Sequence, residues 1–220
     1  MKRIVLLLMI SMCMISCNNV GNKVSQQEAV VEEYNDEMKI VECKSDKNIP
    51  DGLTLGKVVE FKGETKEEMN MLSQFKSYNT ALLRGDIDNA AHYMNKDAVV
   101  YFRKFYPGME DDGIMKKFFE IVSDEMIEQI RRFESHGIEL EFVVSRIIRK
   151  VTQGDNVFYV FEIVSNMYNE NLQLHTEPES TLAVSNNGGK NWTFNTMNED
   201  TPNILRVSFS DDVVDKIMGY

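Results

Sequence analysis

Residues 82–100 read LLRGDIDNAAHYMNKDAVV, and the fold prediction starts from this stretch. Gly85 ends one helix, because glycine readily takes the left-handed conformation that terminates helices. Asp86 is an N-cap residue for a second, short helix. The polar turn at 95–97 leads into Ala98–Phe102, whose β-branched and aromatic residues predict a strand. The predicted order is therefore helix, helix, strand.

The helix that precedes Gly85 begins with a capping box, formed by Thr65 as N-cap and Glu68 three residues later. Apolar residues then recur at helical spacing. They are Met69, Leu72, Phe75, Tyr78 and Leu82. This pattern predicts an amphipathic helix.

A longer helix and an antiparallel meander follow along the chain. Asp111-Asp112 opens the helix, which carries one apolar stripe and ends at Gly137. The predicted strands start at Ile138 and continue with Val157–Tyr168, Leu172–Val184 and Lys190–Asn195. We therefore predict an α+β fold, with the order helix-helix-strand-helix and then a four-strand meander, in which a curved antiparallel sheet wraps around the long helix.

The stretch from Leu82 to Val100, with its Gly-Asp turn, short helix and Asp-Ala-Val sequence, resembles the opening of nuclear transport factor 2-like domains. The resemblance covers about residues 65–196. It implies a domain at 64–200 shaped as a cone, whose interior is an active site in ketosteroid isomerase-like enzymes and elsewhere a ligand pocket or plain core. No position matches a motif that would carry catalytic residues over, so we assign none.

Four large side chains are candidates for the wall of such a ligand pocket. They are Tyr101, Phe118, Tyr159 and Trp192. Ordinary core packing is the alternative for each. The sequence contains no P-loop, HExxH, GxSxG or Ca²⁺-loop motif, and we predict no metal and no cofactor.

The strand Val157–Tyr168 is apolar on both faces, which predicts that something covers its outer face. The candidates are an acidic arm at 28–63, the tail at 201–220 with a short helix after Ser210, or a second protein. The last alternative makes this face an interaction surface for a homodimer or an envelope protein. Its residues are Phe158, Val160, Val164 and Tyr168.

Two smaller motifs have mainly structural interpretations. His175, Glu177 and Glu179 alternate and would share one face of a strand, as a metal or acid/base set would require, but a charged, solvated edge is the favoured interpretation. The run 185–192, SNNGGKNW, resembles the aspartate box of β-propellers. Because it occurs once, it predicts a tight hairpin and no propeller.

The N-terminus resembles that of bacterial lipoprotein precursors. Lys2 and Arg3 precede an uncharged run of twelve residues, which is shorter than the roughly 20 needed to span a bilayer. Met14-Ile15-Ser16-Cys17 is similar to a lipobox, which implies cleavage after residue 16 and lipid, palmitate included, on Cys17. Ordinary secretion with cleavage near Ser16 is the alternative.

Residues 17–27 are small or polar and predict a flexible tether to the membrane. Asn18 and Asn19 match neither an inner-membrane retention signal nor an acidic surface-display signal, so we expect the periplasmic face of the outer membrane. Removal of residues 1–16 changes the formal net charge from −11 to −13. This acidity, without a basic stripe, argues against nucleic acid as a partner.

These features leave three hypotheses for function. The first is a non-catalytic ligand-binding or protein-interaction module held at the membrane by Cys17. The second is a small-molecule enzyme, of isomerase or dehydratase type, with a cone-shaped pocket. The third is a structural or assembly component of the envelope that acts through the outer sheet face.

Overall fold

The structure is a computed structural model. It describes residues 28–42, 52–170 and 172–220, without the side chains of 120–126 and 129. The predicted signal peptide, the predicted lipid attachment site Cys17, the predicted tether and the remaining cysteine, Cys43, lie outside the described residues. The protein is a mixed α+β structure, as the sequence predicts.

The helices are α1 (Lys66–Leu83), α2 (Ile87–Ala91), α3 (Lys96–Phe102), α4 (Asp111–Ser135), α5 (Thr201–Leu205) and α6 (Asp211–Met218). A 3₁₀ turn, Arg103–Phe105, follows α3. The strands are β1 (Val30–Glu33), β2 (Ile40–Val41), β3 (Leu53–Leu55), β4 (Lys57–Val58), β5 (Glu139–Gln153), β6 (Asn156–Asn169), β7 (Leu172–Thr176), β8 (Glu179–Ser185) and β9 (Thr193–Thr196).

The capping box at the start of α1 is confirmed. The Thr65 hydroxyl accepts the Glu68 N–H at 3.1 Å, and the Glu68 carboxylate accepts the Thr65 N–H at 3.0 Å. Glu68 is 1% exposed, and its other oxygen accepts the Tyr34 hydroxyl at 3.1 Å. The reciprocal cap therefore also holds the N-terminal arm against α1.

The predicted strand Ala98–Phe102 is wrong, because these residues form α3. The Asn95 side chain accepts the Asp97 N–H at 3.0 Å and so caps a helix at this point. Ala98 and Val99 are buried in a helical cluster with Ile114 of α4. Packing among helices thus overrides the β-propensity of a short apolar run.

Within the described residues, the main sheet has seven strands and is not closed into a barrel. Strand β6 pairs with β5 on one side, and on its other side with β8 near its start and β7 near its end. β1 extends the sheet beyond β5, β9 beyond β8 and β3 beyond β7. A mostly antiparallel sheet is therefore confirmed, whereas β7 and β8 both lie beside β6 and do not follow one another as in a simple meander.

The third predicted strand, Leu172–Val184, is two strands. Glu177 and Pro178 separate β7 from β8, and proline has no N–H to donate to a ladder. His175 lies opposite Asn166, whereas Glu179 lies opposite Ile163. Because Ile163 and Asn166 are three residues apart on β6, His175 and Glu179 lie on opposite faces of the sheet.

Both faces of β6 are covered by the chain itself. Met71 and Phe75 of α1 pack on one face, against Tyr159 and Phe161. The other face packs against the C-terminal tail through Leu205, Val213, Val214 and Ile217. The prediction that the outer face is covered is confirmed, and the tail is a large part of its cover.

Candidate ligand site

A small cleft lies between the second half of α1 and the face of the sheet that α1 covers. Its volume is about 70 Å³, which is room for a few water molecules and well below the roughly 300 Å³ of a typical small-molecule pocket. The lining includes Phe75, Tyr78, Asn79, Leu82, Phe142, Ile163, Ser165, Thr176, Glu179, Thr181, Phe194 and Thr196. As it stands, the cleft has room for a few water molecules or for one end of a larger molecule.

Strand register explains why β8 contributes polar side chains to this cleft. Glu179 lies opposite Ile163, and Thr181 lies opposite Phe161. Directly opposed residues of antiparallel strands share a face, and Phe161 packs in the cluster that contains Phe75 of α1. The side chains of Glu179 and Thr181 therefore lie on the α1 side of the sheet.

Aromatic rings form a firm apolar wall beside these polar groups. The Phe75 ring packs edge-on against Phe161 and Phe194, with centroids 5.0 and 5.2 Å apart. Tyr78 stacks on Phe194 at 5.7 Å with an interplanar angle of 23°. Since Phe75, Tyr78 and Phe194 each contact at least two other rings, the wall gives the cleft a fixed shape.

Thr181 carries an unpaired polar atom at this site. Its Oγ1 is buried and has no hydrogen-bond partner within the described part of the chain. A buried hydroxyl left without a partner costs about 1–3 kcal/mol. A bound ligand or water that accepts or donates a hydrogen bond here would recover that energy.

Glu179 stands next to this hydroxyl on the same strand face. Its side chain is half-buried, and burial raises the pKa of the carboxyl above its ordinary value of 4.5. Among residues 28–42, 52–170 and 172–220 it forms neither an ion pair nor a hydrogen bond. A carboxyl in this environment can donate a hydrogen bond when protonated and accept one when ionised.

Asn195 borders the cleft but differs from the two β8 residues. Its Nδ2 is also buried without a partner in the described structure. However, Asn195 lies opposite Leu182, which packs in the cluster beneath the C-terminal helices. The register thus places its side chain on the outer face, and we do not assign it to the site.

The four predicted pocket residues do not form one site, and none of them lines this cleft. The Tyr159 hydroxyl donates to Glu67 at 2.7 Å, and its ring centroid lies 5.5 Å from that of Trp192. Tyr101 and Phe118 belong to a different cluster. The Tyr101 hydroxyl donates to Asp200 at 2.6 Å, and burial together with this contact raises the pKa of Tyr101 to about 12. Core packing and structural hydrogen bonds account for these positions.

The residues predicted as an interaction face are mostly covered. Phe158 and Val160 are 0% and 5% exposed beneath the C-terminal tail, and Val164 is 1% exposed beside Val58. Tyr168 is half-buried, with the Lys57 ammonium 3.9 Å from its ring centroid. Because the chain itself occupies this face, a partner would first have to displace the tail.

Glu179 and Thr181 are the site residues that the sequence patterns missed. Glu179 belongs to the His175, Glu177, Glu179 alternation, for which a solvated edge was the favoured interpretation. Instead, His175 is 3% exposed, with Nδ1 3.0 Å from the Gly56 carbonyl oxygen. The described residues contain no cluster of three metal-ligating side chains.

The hairpin at 185–192 is a structural anchor for α1. Asn187 Oδ1 accepts the Asn191 N–H at 3.0 Å, and the Trp192 indole donates to the Gly189 carbonyl at 3.1 Å. Asn70 Nδ2 of α1 also donates to this carbonyl, at 2.8 Å. The predicted hairpin forms between β8 and β9, but its connection is seven residues long (186–192) and is not a tight turn. It positions the helix that forms one wall of the cleft.

Comparisons with known proteins identify no relative. No model of a protein family, no curated protein and no solved structure matches the chain. Within the ranges that the structure describes, no helix is long and apolar enough to cross a membrane.

Proposed function

We propose that this protein is a membrane-anchored periplasmic lipoprotein whose folded part is a non-catalytic ligand-binding module. In this proposal the cleft between α1 and β8 takes a small, largely apolar molecule that carries a hydroxyl or carbonyl group. The observation that carries it is the unpaired Thr181 hydroxyl beside Glu179 on an aromatic wall. Apolar pockets with a few placed polar groups are the usual form of small-molecule sites.

Under this proposal the domain is a nuclear transport factor 2-like cone. Helices that precede an antiparallel meander, with α1 packed on one sheet face, support it. Two register shifts in β5, at Val144/Arg146 and Ile147/Arg149, also support it, because bulges bend strands and curve sheets. The helix α3, where the resemblance implies a strand, is a departure from that pattern.

The proposed membrane anchor is a lipid attached to Cys17. This lipid would hold the protein at the outer membrane, facing the periplasm. Metabolic labelling of the full chain with a palmitate analogue tests it. We expect label in the native chain and in the Cys43→Ala control, and none in Cys17→Ala. Equal labelling of the native chain and Cys17→Ala would contradict the anchor.

Ligand binding is tested by titrating the purified protein with phenol and cyclohexanone, which present a hydroxyl and a carbonyl on a small ring. We expect NMR shift changes at residues of β8 and α1. Thr181→Val and Glu179→Gln should weaken the binding, whereas Glu177→Gln, an exposed neighbour, should not. Shifts spread over the surface, or unchanged by Thr181→Val and Glu179→Gln, would contradict a site in the cleft.

The enzyme hypothesis keeps one specific support, because acids with raised pKa values in apolar clefts serve as proton-transfer groups. A hydrolytic or isomerase turnover that Glu179→Gln abolishes and Glu177→Gln preserves would replace the binding proposal with this one. The hypothesis of an envelope assembly component loses its main support, since the sheet face that it needs is buried beneath α5 and α6.

A further inference from the structure

The turn that follows α3 in the chain presents large apolar side chains to solvent. Phe105, which ends the 3₁₀ turn, is 44% exposed, and Met109 is 36% exposed. Between them the chain reverses at Pro107-Gly108, where Gly108 has a φ of +84°. Two large apolar side chains exposed on one short turn make it a candidate interaction site. We refer to residues 101–109 as the aromatic turn.

Contacts with neighbouring aromatic rings hold Phe105 of the aromatic turn in place. The Phe105 centroid lies 6.0 Å from Tyr101 and 6.4 Å from Phe102. Phe102 in turn stacks on Phe118 of α4 at 6.0 Å. The exposed ring is thus fixed to the helical cluster and presented at a defined position.

Cations accompany the exposed rings. The Lys104 ammonium lies 3.5 Å from the Tyr101 centroid and 4.8 Å from that of Phe105. Lys117 of α4 lies 5.7 Å from the Tyr106 centroid. Neither lysine forms an ion pair with any residue that the structure describes, in contrast to Arg103, which is bound by Asp111 at 2.7 Å.

We propose that the aromatic turn docks onto the surface of an anionic lipid bilayer, with Phe105 and Met109 in the headgroup region and Lys104 and Lys117 on lipid phosphates. The proposal rests on the proposed anchor at Cys17. Aromatic rings combined with unpaired lysines are typical of segments that lie at a membrane interface. Each lysine near an anionic surface adds to the electrostatic attraction.

The anchor and the charge of the chain argue for lipid over a protein partner. Fully extended, the ten residues between Cys17 and Glu28 span about 33–36 Å, so a lipidated chain never leaves the neighbourhood of the bilayer. The mature chain carries a formal charge of −13, since cleavage removes Lys2 and Arg3 from a total of −11. An anionic surface repels most of such a molecule and favours approach by a segment that is net basic. Residues 101–117 are such a segment, with four basic side chains against the three acidic ones at 110–112.

The test uses the full lipidated protein in vesicles that contain phosphatidylglycerol and a spin-labelled lipid. The native Trp192 is 1% exposed and serves as a constant background. Phe105→Trp places a reporter on the aromatic turn, and Tyr220→Trp, at a position that is 85% exposed, is the matched control. We expect the added fluorescence of F105W to be quenched at least about twofold more than that of Y220W, and Lys104→Gln with Lys117→Gln to reduce the difference.

Vesicle flotation separates the two proposals. A chain that floats with the vesicles while F105W remains as unquenched as Y220W would overturn the docking proposal and leave the anchor standing. It would also make a protein the better candidate for this turn. A chain that fails to float would overturn the anchor, and with it this inference.

Discussion

The side-chain amide of Asn166 pairs with both backbone polar groups of Val58. The Val58 N–H donates to Asn166 Oδ1, and Asn166 Nδ2 donates to the Val58 carbonyl, each at 2.9 Å. Asn166 is 0% exposed, and Val58 packs on Val143 and Val164. One amide thus gives the short strand β4 the two hydrogen bonds that a neighbouring strand would otherwise supply.

Asn166→Asp should lower the free energy of unfolding by about 2–4 kcal/mol, because it removes the donor and sets a carboxylate against a carbonyl oxygen. Urea denaturation followed by circular dichroism measures this. Asn186→Asp, in an exposed part of the hairpin, is the matched control and should change little. Equal effects of the two changes would show that the arm is not held by this pair.

Ile217→Ala should lower the free energy of unfolding by about 2–5 kcal/mol, since Ile217 is 0% exposed against the outer face of β6. Tyr220→Ala, two residues beyond α6, should have almost no effect. Thermal unfolding with size-exclusion chromatography checks both the stability and the oligomeric state. A wild-type-like unfolding curve for Ile217→Ala would mean that α6 is not docked on the sheet.

Two threonines should respond in opposite directions to the same change. Thr181→Val replaces a hydroxyl that has no partner, and we expect the protein to gain about 1 kcal/mol while losing affinity for its ligand. Thr201→Val should cost about 1 kcal/mol, because its hydroxyl accepts the Asn198 N–H at 2.9 Å. Chemical denaturation of both variants tests the contrast, and a loss of stability in Thr181→Val would show that its hydroxyl is satisfied.

The raised pKa of Glu179 predicts a pH dependence with a definite sign. An acid whose pKa is higher in the folded state contributes stability below its unfolded value, near 4.5, and loses that contribution as the pH rises through the folded pKa. Glu179→Gln cannot ionise, so its stability relative to the native protein should rise with pH across this window. Glu177→Gln should show a flat difference. A flat difference for Glu179→Gln would mean that the carboxyl is fully hydrated.

Local signals in the sequence predict much of the fold. The cap at Thr65 and the end of α1 before Gly85 depend on residues close in sequence, and both are as predicted. A hairpin forms at 185–192 as predicted, but with a longer connection than a tight turn. The prediction of a strand at Ala98–Phe102 was wrong, because the conformation of this segment depends on burial against α4 and the C-terminal tail. The N-cap Asn95 is a local signal for this helix, but the β-branched and aromatic residues that follow it favoured a strand.

The site was harder to predict than the fold, because it depends on pairing between distant segments. Glu179 and Thr181 are polar residues on a strand with a proline nearby. This combination normally indicates a solvent-exposed edge strand. They face an aromatic wall only because β8 pairs with β6 in one particular register. The large aromatic residues that drew attention in the sequence instead fill the core.

From His175 to Glu179 the chain advances four residues, while its partner β6 advances three, from Ile163 to Asn166. One residue between β7 and β8 is therefore extra, and the break at Glu177-Pro178 absorbs it. Removal of that residue would leave three steps along the chain against three along β6, so Glu179 and Thr181 would still face the cleft. The pairing of β8 with β6, and not the length of the connection before β8, decides which side chains meet a ligand, so this connection can change by one residue while the polar lining stays the same.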